Sequence, residues 1–280
     1  MIPLCIDLDG TLIRTDMLFE SAAALLRQKP WLVLTMPRWL MQGKATLKQE
    51  IASRVSIDPA LLPYNEDFLE WATAEHARGR TLVLATASDR QLANAIARNL
   101  ALFTTVIASD GHTNQKGVTK LVSLTALYGQ DFAYAGNSAS DLPIWQGCEE
   151  AILVSASPAV ARTARTQGNV TQDFPAPRLL YSAVRQVFRA RACQLILVAA
   201  ILPTMTTHNP LWAAAALALS CLTAGTLITR DVLSLQQDRA TRRLANRPIA
   251  SGVFPLPVAF FLGPSLILLA LILALILKSR

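Results

Sequence analysis

The chain is poor in cysteine, and this restricts the classes of protein to which it can belong. Its 280 residues contain four cysteines, without paired or metal-type spacing: Cys5, Cys148, Cys193 and Cys221. This excludes a disulfide framework and a cysteine-bound zinc site. We therefore expect the cysteines to be small buried hydrophobic residues of a protein in a reducing compartment. The N-terminus also lacks a basic segment followed by an apolar one, which predicts no secretory signal.

Charge is also scarce, and apolar residues are unevenly distributed. Charged residues make up only 16% of the chain and hydrophobic residues 52%. This composition is too apolar for an ordinary soluble enzyme. The excess lies in residues 192–277, whereas residues 1–180 have the composition of a soluble α/β chain. We therefore expect a soluble domain at residues 1–185 and a membrane-embedded part at residues 186–280.

The formal net charge of +7 comes largely from arginines beside and within the apolar part. They are Arg185, Arg189, Arg191, Arg230, Arg239, Arg242, Arg243 and Arg247. Such clusters favour the cytoplasmic side of a membrane and contact with anionic lipids. The sequence has no basic patch interleaved with aromatic residues, so nucleic acid is not an expected partner.

The most informative stretch is the first apolar segment and the turn after it. Leu4 to Leu8 predicts a short buried strand that Gly10 ends. Asp7 and Asp9 are two residues apart, so an extended backbone projects both carboxylates to the same side. They follow the carboxyl end of the strand, where open α/β sheets bind ligands. Two adjacent carboxylates favour a hard cation such as Mg²⁺, and a carboxylate can attack phosphorus.

The segment Asp7-Leu8-Asp9-Gly10-Thr11-Leu12 resembles the first motif of the haloacid-dehalogenase-like (HAD) phosphohydrolases. The alternative is a strand followed by an ordinary Asp-Gly turn. The resemblance implies that Asp7 is a nucleophile and that Asp9 is a general acid/base. It also implies a Mg²⁺ cofactor and a phosphorylated small molecule as substrate.

Two later segments resemble the second and third motifs of this family. Thr86 follows the predicted strand 81–85 and would bind phosphate together with the N-terminus of the next helix. A hydroxyl that caps a helix is the alternative interpretation. Lys116 follows the predicted strand 105–108 and would neutralise phosphate charge. Lys120, one helical turn later, is the alternative lysine.

A fourth segment, after the predicted strand 132–136, resembles the Gly-Asp-x-x-x-Asp motif of the family. Asp141 matches the second aspartate, whereas Asn137 stands where the first aspartate is usual. The resemblance implies a metal site formed by Asp7, Asp9 through its backbone, Asp141 and Asn137. Because an amide carries no charge, we expect Asn137 to weaken Mg²⁺ binding.

The order of these segments predicts the fold class. Strands that alternate with helices imply right-handed crossovers and a Rossmann-like parallel sheet covered on both faces. Apolar residues at helical spacing predict a helical insert at about residues 15–78, which the resemblance identifies as a cap over the site. A simple packing subdomain is the alternative. Within it, Pro30 to Met41 is apolar enough to contact a membrane or a lipid substrate.

The apolar part predicts three transmembrane helices, within residues 193–205, 211–228 and 255–277. The turn at residues 206–210 carries no Lys or Arg, whereas residues 230–247 are rich in arginine. The positive-inside rule then predicts a multi-pass protein of the inner (cytoplasmic) membrane with the soluble domain in the cytoplasm.

The loop after the second of these helices resembles the first aspartate-rich motif of UbiA-type intramembrane prenyltransferases. The residues that would bind Mg²⁺ and a prenyl diphosphate are Asp231, Asp238, Arg239 and Arg247. Arg230 and Ser234 depart from the family pattern, and an ordinary charged loop is the alternative. Three helices form only an incomplete UbiA-type bundle. We therefore expect a truncated or degenerate member, or a partner that supplies the missing helices.

The order of the two parts resembles bacterial fusions of a HAD domain to a prenyltransferase related to decaprenyl-phosphate phosphoribosyltransferases. Three functions follow. The first is a membrane-anchored, Mg²⁺-dependent phosphatase acting on a phosphomonoester. The second is transfer of a polyprenyl phosphate or diphosphate through the UbiA-like part. The third is a degenerate, non-catalytic fusion, which would be a phosphate-binding or scaffolding module on a membrane anchor.

Overall fold

The computed structural model describes residues 1–176 and 210–278, and the chain divides into two compact units. The first unit is Met1–Pro177 and the second is Arg178–Arg280. The predicted helix within residues 193–205 lies outside the described residues.

The first unit is built on a six-stranded sheet in which every strand pair is parallel. The strands are β1 (Leu4–Ile6), β2 (Leu82–Asp89), β3 (Thr105–Ser109), β4 (Ala133–Gly136), β5 (Glu150–Val154) and β6 (Val170–Phe174). Their order across the sheet is β3-β2-β1-β4-β5-β6. From β1 the chain adds β2 and β3 on one side and then β4, β5 and β6 on the other, so the strand order reverses between β1 and β4. Open α/β sheets bind ligands in the crevice at the carboxyl ends of the strands at such a point.

Eight α-helices of the first unit connect these strands. They are α1 (Met17–Gln28), α2 (Met36–Met41), α3 (Lys44–Ala52), α4 (Glu66–Ala77), α5 (Arg90–Leu100), α6 (Val118–Tyr128), α7 (Leu142–Gln146) and α8 (Pro158–Gln167). Shorter 3-10 helices lie at Pro30–Thr35, Pro59–Leu61 and Ala139–Asp141. The predicted parallel α/β fold is confirmed.

Helices cover both faces of the sheet and form a core on each. Successive side chains of a strand point to opposite faces and so contribute to different cores. Leu4 and Ile6 of β1 belong to one core cluster, to which α4 and α5 also contribute. Cys5 belongs to a second cluster, to which α6, α7 and α8 contribute. β1, in the middle of the sheet, is therefore buried on both sides and holds the following turn in a fixed position.

The helical insert after β1 packs in two different ways. Leu25, Trp39, Leu47 and Ile51 form a small core of their own within α1, α2 and α3. By contrast, Phe68 of α4 belongs to the core of the sheet. The part of the insert with its own core therefore ends at α3, whereas α4 is a covering helix of the sheet.

The second unit contains two long apolar helices. Its described helices are α9 (Pro210–Leu233), α10 (Leu235–Ala240) and α11 (Leu256–Lys278). Ala214–Leu233 and Leu256–Lys278 are each long and apolar enough to cross a membrane. The two helices approach closely at Gly225, where an added Cβ would lie 2.7 Å from the carbonyl oxygen of Gly263. Small residues permit such contact between membrane helices.

Candidate active site

Asp7 lies at the carboxyl end of β1 and forms a buried ion pair. Its backbone N–H donates to the carbonyl of Ala135 in β4 at 3.0 Å, which fixes it at the point where the sheet reverses direction. The Nζ of Lys120 lies 2.7 Å from Asp7 Oδ1, and it also donates to the hydroxyl of Tyr134 at 2.8 Å. Lys120 is the cation that contacts Asp7.

Burial raises the pKa of Asp7 to about 6. The charge of Lys120 opposes this rise, whereas the neighbouring charge of Asp141 adds to it. Asp7 is therefore charged at neutral pH with Lys120 as its counterion.

Asp9 is held by two hydrogen bonds, one to each carboxyl oxygen. The backbone N–H of Met17 donates to Oδ1 at 2.8 Å, and the hydroxyl of Ser88 donates to Oδ2 at 2.6 Å. Burial raises the pKa of Asp9 to about 7, and the charges of Asp16 and Asp7 contribute to the rise. The neutral and the charged form of Asp9 are thus both accessible near neutral pH, as a general acid/base requires.

The carboxylate of Asp141 is occupied by hydrogen bonds. Oδ1 accepts from the hydroxyl of Tyr134 at 3.0 Å. Oδ2 accepts from the backbone of Asn137 at 3.1 Å and from both the backbone and the hydroxyl of Ser138 at 2.9 Å. Asp141 thus closes the turn after β4, and Gly136 makes room for it, since an added Cβ there would lie 2.9 Å from Asp141 Cγ.

Hydrogen bonds engage several of the residues that were predicted to hold a metal. Within residues 1–176 and 210–278, no three or more His, Cys, Asp or Glu side chains are grouped to hold a metal ion. The Asp141 side chain accepts its hydrogen bonds within the turn. The amide of Asn137 lies over Gly10, where an added Cβ would be 2.0 Å from Nδ2. Asp7 and Asn137 remain as side-chain oxygen donors, and this set fits Mg²⁺, which keeps several waters.

Thr86 and Ser88 lie side by side on β2. Thr86 is fully buried, and its Oγ1 accepts from the backbone N–H of Ser88 at 2.9 Å. The described part of the chain supplies no acceptor for the Thr86 hydroxyl proton, which leaves that proton for a ligand. β2 continues to Asp89, whose carboxylate caps α5 by accepting from Gln91 N at 2.8 Å. Asp89 therefore occupies the helix N-terminus that the sequence predicted to bind phosphate.

Of the two lysines that the sequence offers, the structure places Lys120 against Asp7. Lys116 is exposed in the loop before α6, and no acid among the described residues pairs with it. Lys120 lies one turn into α6, on the same face as the buried Leu124, and its side chain is 3% exposed. The sequence could have indicated Lys120 by its position on the apolar face of a helix, because a buried lysine requires a buried partner of opposite charge.

α3 brings a third lysine that the sequence did not indicate. Lys48 donates to the carbonyl of Ala87 on β2 at 2.6 Å, and desolvation lowers its pKa although Asp9 and Asp16 oppose this. α3 also meets the loop after β3, where an added Cβ on Gly111 would lie 2.0 Å from Gln49 Oε1. The helices with their own core therefore reach the carboxyl ends of β2 and β3.

In the second unit, the residues singled out for prenyl diphosphate meet around one arginine. Arg247 Nη1 lies 2.9 Å from Asp238 Oδ2 and 3.2 Å from Asp231 Oδ1. Arg230 also pairs with Asp231, at 2.8 Å, and Arg239 donates to the carbonyl of Ala250 at 2.6 Å. Asp231 and Asp238 are buried. The two carboxylates thus share a counterion.

Comparison with known proteins identifies the first unit. Residues 4–146, just over half of the chain, match the family model described as HAD: haloacid dehalogenase-like hydrolase. An uncharacterized protein of Sinorhizobium fredii, y4nM, is 38% identical over 154 residues, which are 55% of this chain and 30% of that protein. The chain thus spans less than a third of the length of this relative.

The solved structures that match this chain do so at low sequence identity. A protein of unknown function from Bordetella pertussis Tohama I has a TM-score of 0.45 and 20% identity, over 60% of this chain and 96% of that one. A substrate-bound phosphoserine phosphatase has a TM-score of 0.41 and 14% identity, over 66% of this chain and 97% of that one. Neither structure bears on the substrate.

Proposed function

Because the chain belongs to the haloacid dehalogenase-like hydrolases, we propose that its first unit is a Mg²⁺-dependent phosphatase that acts on a phosphomonoester. The observation that carries the proposal is the buried pair of Asp7 and Lys120 at the carboxyl end of β1, with Asp9 beside it. A buried carboxylate with one oxygen held by a cation keeps its other oxygen available for attack.

In the proposed reaction Asp7 is the nucleophile and Asp9 transfers the protons. Asp7 Oδ2 attacks phosphorus while the bond from phosphorus to the leaving oxygen breaks, and the neutral Asp9 gives its proton to that oxygen. Water then attacks the phosphorus of the aspartyl-phosphate, and Asp9 accepts the proton of that water. The bond between Asp7 and phosphorus breaks and releases inorganic phosphate. A pKa of about 7 suits Asp9 to both steps.

The remaining residues are assigned to the phosphoryl oxygens. Asp7 and Asn137 would hold Mg²⁺, which supplies positive charge toward those oxygens when bound. Lys120, the alternative to Lys116, is the fixed cation that balances the charge of Asp7 and of the phosphoryl group. The Thr86 hydroxyl donates to a phosphoryl oxygen, and Lys48 closes the site from α3.

Replacement of the nucleophile tests this proposal. In the full chain, purified in detergent with Mg²⁺, Asp7→Asn should lower phosphate release from an aryl phosphate at least about thousandfold, because an amide cannot form the phosphoryl bond. Asp131→Asn, at an exposed aspartate, should leave the rate unchanged. Equal rates in Asp7→Asn and the unaltered chain would refute the assignment. Phosphate binding without turnover in the unaltered chain would favour the degenerate, non-catalytic alternative.

We further propose that the second unit anchors the protein in the inner membrane as a multi-pass segment, with the phosphatase unit in the cytoplasm. The support is the length and apolar composition of Ala214–Leu233 and Leu256–Lys278. The segment that joins them, which includes α10, carries Arg239, Arg242, Arg243 and Arg247, which favours the cytoplasmic side. Resistance of the protein to alkaline extraction from membranes tests the anchoring.

Transfer of a polyprenyl phosphate or diphosphate is the second candidate function. The observation in its favour is the burial of Asp231 and Asp238 around Arg247, since a diphosphate site needs acids and cations in one place. The sequence predicts three membrane helices in this unit, fewer than in the UbiA-type family that it resembles, so this activity would need further helices, from the same polypeptide or from a partner. Turnover of labelled polyprenyl diphosphate, lost in Asp238→Asn, would establish the activity.

A further inference from the structure

Large apolar side chains stand exposed on the helices between α1 and α3. Trp31 and Leu34 on the 3-10 helix Pro30–Thr35 are 66% and 85% exposed, and Leu40 and Met41 at the end of α2 are 51% and 89% exposed. We call these four residues the Trp31 patch. Neighbouring exposed apolar side chains mark an interaction surface, because their contact with water is unfavourable.

The Trp31 patch is not the core face of these helices. Trp39, from the same segment, is buried against Leu25, Leu47 and Ile51 and provides the internal packing. The guanidinium of Arg54 lies 5.0 Å from the centre of the Trp39 ring and covers it. The fold of the insert is therefore satisfied without the patch, which remains available for an external partner.

The charged residues of the sequence stretch that contains the patch are all basic. Between Glu20 and Glu50 the chain has no acidic residue. The basic residues of this stretch are Arg27, Lys29, Arg38, Lys44 and Lys48. Arg38 and Lys44 are exposed. Exposed tryptophan, leucine and methionine beside lysine and arginine are typical of protein surfaces that enter the headgroup region of anionic bilayers.

The proposed anchor keeps a membrane surface close to the first unit. The proposed anchor begins at α9, and residues 177–209, at ~3.5 Å per residue, can span no more than roughly 120 Å. A bilayer that holds α9 and α11 is therefore always within reach of the first unit, and tethering raises its effective concentration. We propose that the Trp31 patch docks on the anionic surface of that bilayer and holds α1, α2 and α3 at the lipid headgroups. This inference rests on the proposed membrane anchoring.

Photocrosslinking in the full chain tests the docking. p-Benzoylphenylalanine replaces Leu34 in the patch, Thr166 on α8 as an exposed polar control, or Leu271 in α11 as an anchor control. Each protein is reconstituted into vesicles of phosphatidylglycerol and phosphatidylcholine, irradiated and analysed for lipid adducts by mass spectrometry. Retention of the unaltered thermal midpoint confirms that the labelled chains fold.

Position 34 should give at least about fivefold more lipid adduct than position 166, and the excess should shrink in phosphatidylcholine alone. Adducts at position 271 with equal yields at positions 34 and 166 would overturn the docking and leave the anchor intact. Absence of adducts at position 271 would refute the anchor and the docking with it. Crosslinks from position 34 to a second copy of the chain would overturn the lipid assignment.

Discussion

Replacement of Lys120 by methionine removes the counterion of Asp7 and should destabilise the first unit only where Asp7 is charged. The paired Asp7 has a raised pKa of about 6, against an ordinary value of 3.8. A carboxyl group with a raised folded-state pKa favours folding below its unfolded-state pKa, and this contribution is lost as the pH rises to the folded-state pKa. In the unaltered protein that loss is complete near pH 6.

Without Lys120 the pKa of Asp7 rises further, so the loss continues above pH 6. Each additional pH unit costs about 1.4 kcal/mol. Lys120→Met should therefore differ little from the unaltered protein at pH 5 and be less stable by at most about 3 kcal/mol at pH 8, the full loss over the two pH units above pH 6. This agrees with the 3–5 kcal/mol typical of removing one partner from a buried ion pair, given as an order of magnitude.

The assay is thermal unfolding of the full chain in detergent, with EDTA present to remove divalent cations. Tryptophan fluorescence reports mainly on the first unit, which contains four of the five tryptophans: Trp31, Trp39, Trp71 and Trp145. A loss of about 3 kcal/mol in a unit of this size should lower its Tm by roughly 6–12 °C at pH 8.

Lys116→Met is the matched control for this experiment. It makes the same replacement four residues earlier, at an exposed position in the loop before α6, and should change Tm by less than about 2 °C at either pH. A Lys120→Met effect that is the same at pH 5 and pH 8 would refute the reasoning, as would an equal effect of Lys116→Met.

Three further predictions test the turn after β1, the sheet and the two long apolar helices. Gly10→Ala should weaken Mg²⁺-dependent phosphatase activity, because φ is +74° and the Cβ would displace Asn137. Gly79→Ala, at φ +89° in open space, should cost about 1 kcal/mol in stability without that loss. Arg80→Met should cost about 2–3 kcal/mol by urea unfolding, because Glu75 and Glu150 lose their shared cation, whereas exposed Arg78→Met should cost under about 1 kcal/mol. Gly225→Val should separate α9 from α11 and speed hydrogen exchange of their amides in nanodiscs, because the Gly263 backbone cannot move aside; Leu222→Ala should not.

The parallel sheet was predictable because its buried strands are nearly continuous apolar runs. Leu4 to Ile6 and Leu82 to Ala85 show no helical spacing, and their burial on both faces explains why. β6 could not be predicted in the same way. It lies at the edge of the sheet, and Thr171, Gln172 and Asp173 are exposed, so the segment lacks the apolar pattern of a strand.

The candidate site was predictable only in part, because spacing along the chain does not specify which groups share a hydrogen bond. Asp7 and Asp9 follow directly from their positions after β1. The role of Ser88, which donates to Asp9 across 79 residues of sequence, depends on how far β2 continues. The role of Lys48 depends on how α3 packs. The capping role of Asp141 depends on the turn after β4, which the sequence indicates only as a polar loop.

The most direct test of the central claim is a search for the phosphoryl group on Asp7. The full chain with Mg²⁺ is mixed with an aryl phosphate, quenched in acid within a single turnover and digested with trypsin. The mass of one phosphoryl group should appear on the peptide Met1–Arg14, with fragment ions that place it on Asp7, and should be absent after Asp7→Asn. Phosphate release from a chain whose Asp7 never carries phosphorus, or a label found on Asp9 or on another peptide, would contradict the account.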